Sequence, residues 1–144
     1  MTLMPNVTCV AIADRALLIE GPPGSGKSTL ALTLIDRGAV LVGDDGVSLD
    51  VGGGKIHASP PPRIAGLLEV RNLGLLHFPT ATAVPVALVL RLDRQAPRFI
   101  DAAEQVELCG VTLPMVRLWP DGAALAVKAE LAIARFGLAP LQPQ

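Results

Sequence analysis

A strand-rich α/β domain built around a phosphate-binding loop is the fold this sequence predicts, and three observations predict it. Residues 21–28, GPPGSGKS, complete the pattern G-x-x-x-x-G-K-[ST]. An apolar run at residues 16–20 leads into that loop and a helix-like run at residues 29–37 leaves it, which is the strand-loop-helix setting the motif requires. Elsewhere, short runs of Val, Leu and Ala are interrupted by Gly and Pro, so the remainder reads as strands joined by turns.

Each element has its own signal. Residues 8–12 and 16–20 flank a short turn at Ala13, Asp14 and Arg15, a hairpin that feeds the loop. Within the loop, Gly21, Gly24 and Gly26 let the backbone N–H groups, those of Ser25, Lys27 and Thr29 included, converge on phosphate oxygens. Lys27 reaches the terminal phosphates, and the Ser28 hydroxyl is placed for a magnesium ion. A helix opening at Ser28 stops near Arg37 and Gly38, where glycine follows a basic last turn. Residues 39–45 form a short buried strand that ends in two acids, Asp44 and Asp45.

Residues 47–51 and 55–58 flank Gly52, Gly53 and Gly54 and predict a second hairpin. Pro60, Pro61 and Pro62 then exclude regular helix. Further strands are predicted at 67–70, 75–78 and 84–93, the last so continuously apolar that it belongs at the centre of the sheet. Residues 94–104 read as a polar loop or short helix, 105–108 and 111–118 as strands, and 123–136 as a second helix. That helix is apolar nearly all round, broken only by Lys128, Glu130 and Arg135, so it is expected to be buried on two sides or covered by another subunit. The domain is drawn at residues 1–137, with a flexible tail at 138–144.

Composition excludes several partners. The 144 residues suit one domain, so nucleotide and acceptor sites must share one core. Net charge is −1 and the Lys and Arg residues are scattered, so neither nucleic acid nor an anionic membrane surface is an expected partner. No apolar stretch reaches the ~20 residues of a membrane span, and no secretory signal is visible at residues 1–6. Cys9 and Cys109, each in an apolar run, read as reduced core thiols of a cytoplasmic protein.

The chemistry centres on acids near the loop. After a strand-loop-helix unit the next parallel strand is expected to return beside the first, which brings Asp44 and Asp45 to the phosphates. Adjacent residues of an extended strand point in opposite directions, so the two acids take different roles. One can hold the metal and the other can accept a proton from an attacking hydroxyl. Asp93, at the end of residues 86–92, competes for the metal role and would define a different enzyme, a small-molecule kinase or NTPase.

From residue 8 to residue 74 the chain resembles the catalytic domain of bacterial HPr kinase/phosphorylase, in the short proteobacterial form without the N-terminal domain. The resemblance is carried by the loop at 21–28, by residues 35–45 (IDRGAVLVGDD), by residues 58–62 and above all by residues 65–74 (AGLLEVRNLG). That last run is similar to the family signature E-[IV]-R-G-L-G-I, with Asn72 where the family has glycine. The resemblance implies a P-loop domain of the phosphoenolpyruvate-carboxykinase-like type, a mixed sheet with flanking helices. It implies ATP- and Mg²⁺-dependent phosphorylation of a serine on the phosphocarrier protein HPr, with phosphorolysis of the product in many members, and a homohexamer.

Carried over residue by residue, it makes Lys27 and the loop amides phosphate ligands, and Ser28 and Glu69 the Mg²⁺ ligands. Asp45 becomes the acid or base on the serine oxygen, Asp44 part of the metal and phosphate environment, and Arg71 an organiser of the site. Two departures stand out. Asn6 occupies the place of a family histidine, and residues 118–123 replace a Pro-Val-Arg-Pro-Gly-Arg-Asn segment. Asparagine cannot carry a proton at neutral pH, so a non-catalytic nucleotide or phosphate sensor stands as a further alternative. His57 and His77 lie elsewhere in the sequence.

Overall fold

The computed structural model describes residues 1–140, in which two helices lie against a large curled sheet. In chain order the elements are β1 (Thr2–Pro5), β2 (Thr8–Ile12), β3 (Arg15–Glu20), α1 (Lys27–Asp36), β4 (Val40–Gly43), β5 (Gly46–Gly52), β6 (Lys55–Ser59), β7 (Leu67–Val70), β8 (Gly74–His77), β9 (Val84–Leu92), β10 (Glu104–Leu108), β11 (Val111–Leu118) and α2 (Leu125–Phe136). The main sheet runs β1-β5-β6-β9-β3-β2-β4, and the β10–β11 hairpin joins it through β11. Its pairing is mixed: β3 and β11 run parallel to β9, while the other ladders are antiparallel.

The long apolar strand is central, as its composition predicts. One edge of β9 pairs with β3, while the other gives its first residues to β6 and its last to β11. Alternation along β3 explains why the sheet has two buried faces: Leu17 and Ile19 pack with Leu30 and Leu34 of α1 and Ala129 and Ile133 of α2. Leu18 faces the opposite way, into a core made of strands alone, with Val42, Leu49, Ile56, Val89 and Met115. On β9 the alternation slips, since Ala16 opposes Val86 but Leu17 opposes Leu88. The bulge turns both Ala87 and Leu88 toward the helices. The Ala87 carbonyl then accepts the amide of Leu138, and the Leu138 carbonyl accepts Arg15 Nη1 at 2.9 Å. The tail expected from residue 138 thus begins with a residue fastened to the sheet, and its last four positions, 141–144, lie outside the described residues.

Two expectations are corrected. The strand after α1 runs in the direction of β3 but does not pair with it, because β2 lies between β3 and β4. The hairpin that feeds the loop therefore also occupies the place expected for the returning strand. The strands expected at 67–70 and 75–78 are present as β7 and β8, the second one residue earlier, and they pair with each other in a separate two-stranded sheet. Cys109 is not in the core: it is exposed in the turn between β10 and β11, at a φ of 50°. Cys9 is buried, and burial pushes its thiol far above the ordinary range, so it is an inert core residue.

Candidate active site around the phosphate loop

The loop between β3 and α1 is shaped for anions. Gly26, the residue that starts α1, has a φ of 98°, a left-handed conformation that a side chain would resist. Without side-chain caps, the first N–H groups of α1 have no internal partners and face the loop. Lys27 folds back across it, its Nζ donating to the carbonyl of Gly21 at 2.8 Å. The Ser25 hydroxyl is buried and without a partner among the described residues, a free donor inside the loop.

Asp44 ties this loop to the end of β4. Its Oδ1 accepts the Ser28 hydroxyl at 2.7 Å and the Thr8 hydroxyl at 2.9 Å, and its Oδ2 accepts the backbone amide of Glu69 at 3.2 Å. Thr8, at the start of β2, spans the strand that separates β4 from β3. Its hydroxyl belongs to the site, and nothing in its sequence context marks it as such.

The chain then doubles back so tightly that a Cβ on Gly43 would lie 2.2 Å from the carbonyl oxygen of Gly46. In that corner Asp45 takes a φ of 57° and is exposed, while Asp44 is turned inward. Among the described residues the Asp45 side chain makes no hydrogen bond, but its carbonyl accepts the amide of Asn6 at 3.2 Å. Asn6 is thus a direct neighbour of the second acid, itself at a φ of 63°.

Glu69 and Arg71 reach the site from the β7–β8 hairpin. They line a cleft of about 150 Å³ together with Gly24, Gly26, Lys27, Ser28 and Thr29. The loop, Asp44, Glu69 and Arg71 are therefore brought together, whereas Asp45, the next residue after Asp44, lies outside this cleft, and His57 and His77 line none of it.

Asp93 lies outside that cleft, on the wall of a larger one that Gly21, Gly24 and Ser25 of the loop also line. Its carboxylate accepts the amide of Gln95 at 2.8 Å and Nη1 of Arg117 at 3.0 Å, and Arg117 also donates to Glu104 at 2.7 Å. The amide and the guanidinium hold the Asp93 carboxyl below its ordinary value of 3.8. A carboxyl whose pKa is lowered by folding adds stability above its unfolded value, and that stability is lost as pH falls through the folded value. Asp93→Asn is accordingly expected to lower the melting temperature at pH 7, with the difference from the parent protein closing as pH drops below 3.8. A difference that stays constant in thermal melts from pH 7 to pH 3 would contradict this.

The oxygen donors suit magnesium and a polyphosphate. Among the described residues no three His, Cys, Asp or Glu side chains gather into a self-sufficient metal site. Mg²⁺ does not need one, because it keeps several waters and is held by one or two carboxylates plus substrate phosphates. Ser28 and Asp44, with Glu69 on the cleft wall, supply that partial set beside the loop amides.

The family model described as the HPr Serine kinase C-terminal domain matches residues 4–137. The HPr kinase/phosphorylase of Cupriavidus necator is 38% identical over 135 residues, covering 85% of this chain and 42% of the relative. That of Burkholderia lata is 36% identical over 137 residues, covering 86% and 42%. The chain thus spans less than half the length of the curated relatives it matches. The solved Hpr(Ser) kinase/phosphatase from Coxiella burnetii superposes with a TM-score of 0.83 at 23% identity, over 93% of this chain and 89% of that one, and so shares the fold.

Proposed function

The chain belongs to the family of the HPr serine kinase C-terminal domain, and from that premise we propose that it is a cytoplasmic serine protein kinase with a phosphoenolpyruvate-carboxykinase-like P-loop fold. It transfers phosphate from ATP, with Mg²⁺, to a serine hydroxyl of an HPr-type phosphocarrier protein, and the proposal extends to phosphorolysis of the product. The observation that carries it is the division of labour between neighbouring acids. Asp44 accepts from Ser28, Thr8 and the Glu69 amide, while Asp45 stands exposed beside it.

On this reading Lys27 and the first amides of α1 hold the terminal phosphates, and Ser28, Asp44 and Glu69 hold the metal. Bound Mg²⁺ would neutralise charge on the transferred phosphate. Asp45 orients the incoming serine and takes its proton, and in the reverse direction returns it. Arg71, on the cleft wall with Lys27, adds positive charge where the phosphate oxygens lie. The engagement of Asp93 with Arg117 argues against the rival in which Asp93 holds the metal.

Incubation with purified HPr and labelled ATP, followed by mapping of the label, tests the proposal. Label on a serine of HPr supports it. Nucleotide binding without transfer would favour a sensor, and transfer to a small molecule would favour the rival kinase.

Asn6 offers a sharper probe, because histidine, like asparagine, tolerates the left-handed backbone found there. Asn6→His should introduce a titration between about pH 6 and 7 into the rate of transfer. Superimposable pH–rate profiles with unchanged rates would show that the side chain at position 6 does not act on Asp45.

We further propose that the protein is a homo-oligomer, hexameric like the family it resembles. The inner face of α2 is buried, yet Leu131 on its outer face is 64% exposed and Phe99 beside the same groove 76% exposed. Apolar surface of this kind, in a chain so poor in aromatics, suits a protein interface. Leu131→Glu should lower the mass observed by sedimentation without lowering the melting temperature. A monomeric parent protein would overturn the proposal.

A further inference from the structure

Two clefts open from the phosphate loop, both touching Gly24 and Ser25. The larger, about 720 Å³, lies at the C-terminal ends of β3 and β9, and Asn6, the backbone neighbour of Asp45, is on its wall. The smaller, about 380 Å³, lies between the first turns of α1 and the segment that leads into α2. Thr29 and Thr33 form one wall, and Pro120, Asp121, Ala123 and Ala126 the other. Pro120 borders both clefts, so its loop is a partition between them. The partition is pinned on either side of Pro120: Trp119 Nε1 donates to the Ala96 carbonyl at 2.8 Å, and Asp121 pairs with Arg94 at 3.1 Å.

We infer that the smaller cleft binds the nucleoside of the phosphate donor and that the larger one is left to the acceptor. This rests on the donor being a nucleoside triphosphate, as proposed above. The direction follows from the loop itself. Its amides cradle the α- and β-phosphates while its lysine reaches the β- and γ-phosphates, so the phosphate chain runs from Lys27 and Ser28 toward the outer surface of α1. Only the smaller cleft continues that line, sharing Gly26, Thr29 and Arg71 with the cleft around Lys27. In-line transfer puts the acceptor at the opposite end of the reacting phosphate, on the side of Asp45, whose carbonyl holds the amide of Asn6 on the wall of the larger cleft. The lining matches the ligand. Pro120 and Ala126 offer apolar surface to a flat base, Thr33 and Asp121 offer oxygens to sugar hydroxyls, and the volume falls within the range of small-molecule sites.

Calorimetric titration with ATP and with inorganic tripolyphosphate, each with Mg²⁺, separates the nucleoside's contribution from that of the phosphates. Ala123→Trp places a ring in the smaller cleft from an exposed position, and Thr33→Phe does so independently from α1. Each should weaken ATP binding about tenfold or more while leaving the Kd for tripolyphosphate unchanged. Pro5→Trp, in the larger cleft, should leave ATP affinity unchanged. The inference is overturned if Pro5→Trp weakens ATP while both variants of the smaller cleft do not. It is equally overturned if the parent protein binds ATP no more tightly than tripolyphosphate. A parent protein that binds neither compound rejects the nucleotide-donor proposal itself, and silent variants of a protein that binds both reject the nucleoside site alone.

Discussion

Asp45→Asn is expected to lower the rate of phosphate transfer by roughly 10²–10⁴-fold, the range of a lost general base, with little change in nucleotide affinity. Asparagine is the informative replacement because Asp45 sits at a φ of 57°, where Asn, like Asp, is tolerated, so the corner between β4 and β5 should survive. The backbone bond that joins Asp45 to Asn6 uses the carbonyl and is untouched by the change. What disappears is a carboxylate that is exposed and makes no hydrogen bond of its own among the described residues.

Asp44 provides the contrast. Its carboxylate already accepts from Ser28, Thr8 and the Glu69 amide, so its loss should disturb metal-dependent nucleotide binding as well as rate. Comparing kcat and KM for the two substitutions reads that difference directly. If Asp93→Asn were the more damaging to turnover and Asp45→Asn harmless, the roles assigned to β4 would pass to the end of β9, and the small-molecule kinase would become the better reading.

The parts of this fold that were legible in the sequence are those decided by neighbours along the chain. The loop and α1 follow from residues 21–37, and both hairpins follow from turn residues between strand-like runs. The central place of β9 follows from residues that carry no polar face. What was not legible depends on which strands meet. The apolar run makes residues 8–12 a strand but is silent on whether its second edge meets β4, so the insertion of β2 between β3 and β4 could not be read locally. The role of Thr8 is hidden for the same reason, since its hydroxyl matters only because β2 lies between the loop and Asp44. Cys109 misled because the apolar residues around it belong to two strands, and the turn itself, with Gly110, lies between them. β1 went unread because Thr2–Pro5 is short, mostly exposed and held only by the edge of β5.

Lys27→Ala is expected to remove phosphate transfer altogether to within measurement, a loss of at least ~10³-fold, since it deletes a positive charge aimed at the transferred group. The fold should survive. Lys27 opens α1, alanine is a better helix former there, and the hydrogen bonds it gives up are to the carbonyls of Gly21 and Pro22 at the rim of the loop. Those contacts show where the ammonium rests: it spans the loop from its helical end to its strand end, across the space that the phosphates are proposed to fill. Nucleotide affinity should fall as well, because part of what the lysine contributes is made in the ground state. Arginine would not substitute fully, since its planar fork cannot occupy the point position of an ammonium folded against the Gly21 carbonyl. Circular dichroism melts of the two proteins should coincide within a few degrees while the transfer assay separates them. A Lys27→Ala protein that folds and still transfers phosphate at the parental rate would remove the loop from the active site, and the roles assigned to Ser28, Asp44 and Asp45 would be removed with it.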